Sequence, residues 1–210
     1  TEKLDMIGIF TPHTQHFAQA AASLEAGCHV LVEKPMVTSV QHAIELETMV
    51  EKSGKVLSIA FPGAYSVHHQ AAKEFIANGD AGAITVVLAY VMQGRWKTGT
   101  QGAWRQDPTL SGGGQFYDTG SHLLNSILWI LDDSIEDISG FFVKEGTEVD
   151  VNGSMAARLS SGTIATIMIG GYGATSCEEN ITFFGEKATL RTGIWGGRLE
   201  ITDAQGNIID

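Results

Sequence analysis

Met6-Ile7-Gly8-Ile9-Phe10-Thr11-Pro12 sets the grammar of the chain's first part. A short apolar run stopped by turn residues reads as a buried strand of a parallel sheet. Phe17, Ala20, Ala21 and Leu24 follow at i, i+3, i+4 and i+7, which is a helix face, and Gly27 supplies a stop. His29-Val30-Leu31-Val32 is a second strand, closed by Glu33-Lys34-Pro35. Thr38 and Gln41 then fit a capping box, Val40, Ala43, Ile44, Met49 and Val50 supply apolar faces, and Gly54 ends the helix. Residues 55–61 read as one more strand. The result is βαβαβ, part of a doubly wound, Rossmann-type parallel sheet, in which ligands bind outside the carboxyl ends of the strands.

Those ends carry Thr11-Pro12-His13-Thr14-Gln15-His16 and Glu33-Lys34-Pro35. Charges placed directly after buried strands are either chemical groups or solvated loop residues, and the strands alone do not decide between them. His13 and His16 stand three apart with no third ligand nearby, so no metal site is expected. His68 and His69 are adjacent on a helix, point in different directions, and read as surface residues.

A second pattern follows in Ser111-Gly112-Gly113-Gly114-Gln115-Phe116-Tyr117-Asp118-Thr119-Gly120-Ser121-His122, just before the apolar run 123–131. The glycines allow a sharp, close-packed entry into a helix. If one helix holds both, Asp118 and His122 share a face. Two readings fit the pair. The carboxylate fixes the tautomer of a general base and stabilises its charged form, or Asp118 caps the helix and His122 is a core histidine.

From Pro62 the grammar changes. Val67, Ala71, Phe75 and Ile76 form a helix face, with Gly79 near its end. Residues 84–92 are a long strand rich in β-branched residues. After residue 133, strand-like runs at 138–144, 154–159, 163–169, 180–184, 188–191 and 198–202 are separated by turns, and Gly170-Gly171-Tyr172-Gly173 reads as a bulge or turn. This predicts an α/β part over residues 1–61 and an α+β part over 62–210, the second built on an open, largely antiparallel sheet. Trp96, Trp104 and Trp195 are candidates for a sugar-binding wall or for core and interface positions.

Composition narrows the partners. The 210 residues are 43% hydrophobic and 18% charged, ordinary for a globular chain with a real core. The net charge of −11, from 13 basic and 24 acidic residues, argues against a nucleic-acid partner. No apolar run approaches the ~18 residues of a membrane span. Thr1-Glu2-Lys3-Leu4-Asp5 lacks the features of a signal peptide and an initiator Met, which suggests a trimmed or internal start. Cys28 and Cys177 cannot alone form a disulfide framework or a structural zinc site, so a reduced, cytoplasmic setting is expected.

The segments 9–16, 26–35 and 104–122, in this order and spacing, resemble the Gfo/Idh/MocA oxidoreductases, the family of glucose–fructose oxidoreductase and inositol dehydrogenase. The resemblance covers essentially the whole chain. It rests on Glu33-Lys34-Pro35 taken together with Gly112-Gly113-Gly114 through Asp118, Gly120 and His122. It implies that Lys34 is the catalytic lysine, that His122 is the general acid/base, and that Asp118 is its partner and a substrate ligand. Thr11, Pro12, His16, Glu33 and Lys34 become cofactor-contacting positions. Trp104 and Arg105 join Lys34, Asp118 and His122 at the substrate. The cofactor implied is NAD or NADP, the substrate a hydroxyl or carbonyl of a sugar, polyol or related molecule, and the assembly a homo-oligomer, dimer or tetramer, formed through the sheet.

The chain also departs from the family. Phe61-Pro62-Gly63-Ala64-Tyr65 stands where an Asn-Arg pair is common, and Asn125 where Asp is common. The strand, G-x-G-x-x-G, helix opening of the family does not precede Met6. The expectation is therefore a fragment, truncated also after Asp210, that binds NAD(P) poorly alone. Two rivals remain open at this point: a non-catalytic, sugar-binding or regulatory member of the same fold, and a structural dimerisation unit.

Overall fold

The computed structural model describes residues 3–209. Thr1, Glu2 and Asp210, which bear on the readings of both chain ends, lie outside the described residues.

The first part alternates strand and helix: β1 (Met6–Ile9), α1 (His16–Glu25), β2 (His29–Glu33), α2 (Val40–Ser53) and β3 (Leu57–Ala60). The strands form a parallel sheet in the order β1-β2-β3, with Ile7 opposite Val30 and Val30 opposite Leu57. Ile9, Val30 and Val32 pack with Ala20 and Leu24 of α1 and Leu46 of α2 into one cluster. Successive parallel crossovers of one hand lay both helices on the same face. Hence β1 alternates and is not buried throughout as its apolar run suggested: Ile9 is buried while Met6 is exposed. The helix ends follow the glycines, with Gly54 capping α2 at φ +63° and Gly27 following α1 at φ +80°. The expected capping box does not form. Ser39 occupies the N-cap of α2 without a side-chain bond, and Gln41 instead donates to Glu45 one turn on.

The second part contains α3 (Val67–Ala77), β4 (Ile84–Met92), three single-turn helices α4 (Trp96–Gly99), α5 (Pro108–Ser111) and α6 (Gln115–Asp118), and then α7 (Gly120–Leu131). Six strands close the chain: β5 (Ile135–Val143), β6 (Asn152–Leu159), β7 (Ile164–Gly170), β8 (Glu178–Gly185), β9 (Ala188–Thr192) and β10 (Leu199–Asp203). They join β4 in a seven-stranded sheet of order β10-β9-β8-β4-β7-β6-β5. Every pairing is antiparallel except β4 with β7, which run parallel at the centre. The long strand 84–92 thus enters between strands that follow much later in sequence.

One face of this sheet is the main core. Val87, Ala89 and Val91 of β4 pack with Leu123, Ile127 and Ile130 of α7 and Ala72 of α3. The alternate residues of β4, Val86 and Leu88, face the other side and are exposed, as are Ile164, Met168 and Phe141.

Candidate active site

The chain between β4 and α7 is laid across the carboxyl ends of the parallel strands. Thr14 Oγ1 donates to the carbonyls of Thr109 and Leu110, both at 3.1 Å, and His13 Nδ1 donates to that of Ser111 at 2.9 Å. The Tyr117 hydroxyl donates to the carbonyl of Val37. Glycine permits the tight path that follows. A Cβ on Gly114 would stand 2.0 Å from the main-chain oxygen of Asp150. Asp150 then satisfies the orphan amides at the start of α6, accepting from Gly114 N at 2.9 Å and Phe116 N at 2.7 Å.

This places Asp118 over the end of β2. Lys34 Nζ donates to Asp118 Oδ1 at 2.5 Å and to its main-chain oxygen at 2.9 Å. Arg105 Nε donates to Oδ2 at 3.1 Å, and His13 Nε2 lies 4.0 Å from Oδ1. Burial alone would raise the Asp118 pKa. The Lys34 charge and hydrogen bond, then Arg105 and His13, outweigh it and hold the carboxyl below its usual range.

Asp118 and His122 do not share a helix. Asp118 ends α6, Thr119 is the N-cap of α7, and His122 lies in the first turn of α7. Neither sequence reading of the pair survives intact. Asp118 does not cap α7, and among the described residues no hydrogen bond joins it to His122. The reason is tertiary: the carboxylate is taken by cations from elsewhere in the chain. The His122 ring sits instead among aromatic edges, 5.8 Å from Phe61 and 6.1 Å from Trp195 between centroids. Its pKa is lowered to about 4, first by burial, then by the Lys34 charge, against a smaller opposing effect of Asp118. The imidazole is therefore neutral at neutral pH.

The other expected residues line or brace the same edge. Thr11, Pro12 and Glu33 are half-buried at the ends of β1 and β2. His16 is fully buried, its ring nitrogens each 2.9 Å from a main-chain oxygen, that of Pro35 and that of Thr11. It ties two strand-end loops together and presents no surface of its own. Trp104 is flanked by the Arg105 guanidinium at 4.5 Å and by His13 at 4.7 Å, while Trp96 is buried. Sequence reading passed over His13 once metal was set aside. Its only signal was a histidine directly after a strand-ending Thr-Pro. His69, expected at the surface, is fully buried and donates from Nε2 to the Gly193 carbonyl at 2.7 Å, because this face of α3 packs under the β9–β10 turn. Among the described residues no group of three or more His, Cys, Asp or Glu is placed to hold a metal ion.

Two family models match the chain. Residues 1–61 match an oxidoreductase family with an NAD-binding Rossmann fold, and residues 69–191 match the GFO/IDH/MocA C-terminal domain. The chain belongs to the GFO/IDH/MocA family. D-glucoside 3-dehydrogenase of Escherichia coli is 32% identical over 131 residues, covering 61% of this chain and 36% of that protein. 1,5-Anhydro-D-fructose reductase of Ensifer adhaerens is 29% identical over 167 residues, covering 77% of this chain and 49% of the relative. The chain thus spans less than half of either relative's length. Among solved structures, an inositol dehydrogenase homologue from Azotobacter vinelandii complexed with NAD+ superposes with TM-score 0.90 at 22% identity, over 97% of this chain and 56% of that one. The WlbA dehydrogenase of Bordetella pertussis, in complex with NADH and UDP-GlcNAcA, superposes with TM-score 0.87 at 26% identity, over 95% and 59%.

As a GFO/IDH/MocA chain it has residues that fit the nicotinamide end of a dinucleotide. The three parallel strands end side by side in Phe10-Thr11-Pro12, Lys34-Pro35 and Phe61-Pro62, with an exposed Phe10 and a fixed ammonium at that edge. None of these three ends carries a glycine-rich phosphate loop.

Proposed function

We propose that the protein is an NAD(P)-dependent oxidoreductase moving hydride between the nicotinamide and a hydroxyl or carbonyl carbon of a sugar, polyol or related small molecule. One observation carries this reading. The His122 imidazole and the Lys34 ammonium, fixed on Asp118, lie within electrostatic reach of each other beside the carboxyl ends of a parallel sheet. The family membership and the names of the relatives support it.

Lys34 has three N–H donors, and two are spent on Asp118. The third is directed by that attachment and donates to the reacting oxygen, stabilising negative charge as it develops. His122 accepts the hydroxyl proton on a ring nitrogen and returns it in the reverse direction. Bound nicotinamide supplies the hydride acceptor or donor. Asp118 acts on Lys34 and borders the substrate. Arg105, whose side chain is 41% exposed, holds Asp118 through Nε and offers the rest of its guanidinium to substrate hydroxyls beside Trp104. Thr11, Pro12 and Glu33 line the cofactor edge, and His16 braces it.

The division into a dinucleotide-binding part, residues 1–61, and a substrate and association part, residues 62–210, is part of the same reading. It is supported by the separate hydrophobic clusters of the two sheets. The apolar outer face of the large sheet supports a homo-oligomer formed there, and sedimentation of a Phe141→Lys variant tests it. No helix of the described residues is long and apolar enough to cross a membrane. Two unpaired cysteines support a reducing, cytoplasmic setting, and the net charge of −11 disfavours nucleic acid.

The test is a panel of sugars and polyols with NAD+ and NADP+, run on the full-length protein. Lys34→Ala lowers turnover by at least about a hundredfold. Phe61, in place of a polar family position, favours a second reading, a sugar-binding member without catalysis. Binding of cofactor with no oxidation across the panel would decide for it.

A further inference from the structure

Trp195 stands on the turn between β9 and β10, and the main chain of that turn is held by five side chains. The Gly193 carbonyl accepts from His69, the Ile194 carbonyl from Ser126 Oγ at 3.0 Å, and the Gly196 carbonyl from both Ser66 Oγ and His68 Nδ1 at 2.7 Å. The Ile194 amide donates to the Glu179 carboxylate. Gly196 has φ +70°, and a Cβ there would come within 2.1 Å of Ser66 Oγ, so the turn approaches α3 as closely as glycine permits. Gly193, Ile194 and Gly196 are buried, yet Trp195 between them stays 38% exposed. The fold fixes a turn from several elements and leaves one large aromatic at its tip uncovered, 6.1 Å from the His122 ring.

An aromatic carried on a turn whose main chain is held in this way costs little backbone ordering when something packs on it. Trp96 is buried, Trp129 is half-buried under Lys73, and Trp104 packs between Arg105 and His13, whereas Trp195 is the exposed tryptophan beside His122. Phe61 adds a second aromatic edge at the same imidazole. A cyclic sugar offers what such a wall recognises, a rigid ring with an apolar C–H face and hydroxyls at its rim. An open-chain polyol has no fixed apolar face. We infer that Trp195 is a specificity-determining residue that packs on the C–H face of a pyranose, so that the substrate class is cyclic sugars or glycosides and not open-chain polyols. This rests on the oxidoreductase reading for the place of the reacting carbon.

The test is binding to the full-length protein in the presence of NAD+, with methyl β-D-glucopyranoside as ring-locked probe and D-sorbitol as open-chain probe. In calorimetry, Trp195→Ala weakens glucoside affinity by roughly tenfold and leaves sorbitol unchanged, and Trp195→Phe restores most of the loss. Saturation-transfer NMR on the unaltered protein needs no variant. It shows glucoside ring protons receiving magnetisation more strongly than any sorbitol proton. Glucoside affinity unchanged in Trp195→Ala, a loss of NAD+ affinity in place of glucoside affinity, or no preference for glucoside over sorbitol in the unaltered protein would each overturn the inference. Glucoside bound through Trp195 but never oxidised would leave the inference standing and remove the oxidoreductase reading.

Discussion

Lys34 meets Asp118 twice, through the carboxylate and through the main-chain oxygen, across a sequence separation of 84. The carboxylate therefore bonds the ammonium and not the imidazole four residues further along, on which it exerts only a smaller charge effect. Asp118→Asn keeps an acceptor for Lys34 but removes the charge, and it lowers kcat by about ten- to a hundredfold. Because both residues act through one ammonium, the double variant Lys34→Ala/Asp118→Asn is no slower than Lys34→Ala alone. Steady-state kinetics of the full-length variants check this. Additive losses would mean that Asp118 has a role independent of Lys34.

The environment of His122 sets the acid limb of the reaction. With its pKa lowered to about 4 by burial and by the Lys34 charge, the base is available throughout the neutral range. In the oxidation direction kcat/KM is flat near neutrality and falls only as pH approaches about 4. Lys34→Met removes the second of these causes, so the His122 C2–H resonance titrates at higher pH in the variant. An unchanged titration would sever the proposed electrostatic link.

Stability depends on two further buried histidines. His13 is lowered to about 4 and His69 is lowered as well, both chiefly by burial. A histidine whose folded pKa lies below its unfolded value favours the fold when neutral. The unfolded chain takes up protons first, so stability is full above about 6.5 and is lost as pH falls toward the folded pKa. Each such group contributes a slope of roughly 1.4 kcal/mol per pH unit in that window. Melting temperature should fall between pH 6.5 and 4.5. His13→Asn, which keeps a donor for the Ser111 carbonyl, should fall less steeply.

The parallel sheet was legible because its signals are local: apolar runs ended by Thr11-Pro12 and Lys34-Pro35, a helix face at Phe17, Ala20, Ala21 and Leu24, and glycines at the helix ends. The strands of the second sheet were legible to within a few residues, but not the central parallel pairing of β4 with β7, which is decided by contacts far apart in sequence. At the site, the residue types and their neighbourhood were legible and the bonding was not. The spacing of Asp118 and His122 suggested a helical pair. Asp150 anchors a separate short helix at Gly114 and Phe116, which ends at Asp118 and delivers it to Lys34. His69 of α3 holds the turn that carries Trp195, and no local pattern marks that packing.

Gly114 is where that anchoring is least tolerant. A methyl group there meets the main-chain oxygen and nitrogen of Asp150 at 2.0 and 2.6 Å, and backbone cannot swing aside as a side-chain tip does. Gly114→Ala is expected to cost about 2 kcal/mol or more and to misplace Asp118. Urea unfolding gives the stability, and kcat gives the displacement. Native stability with native kcat would show that the segment relaxes freely.

The most direct test of the account is a single-turnover measurement on the full-length protein, unaltered and as His122→Ala, mixing the cofactor complex with the best pyranoside of the panel and following the appearance of reduced nicotinamide. If His122 takes the hydroxyl proton, the rate constant falls by at least about a hundredfold while NAD(P)+ affinity, measured separately, is unchanged. An unchanged single-turnover rate in His122→Ala would contradict the account, because hydride would then leave carbon without this imidazole.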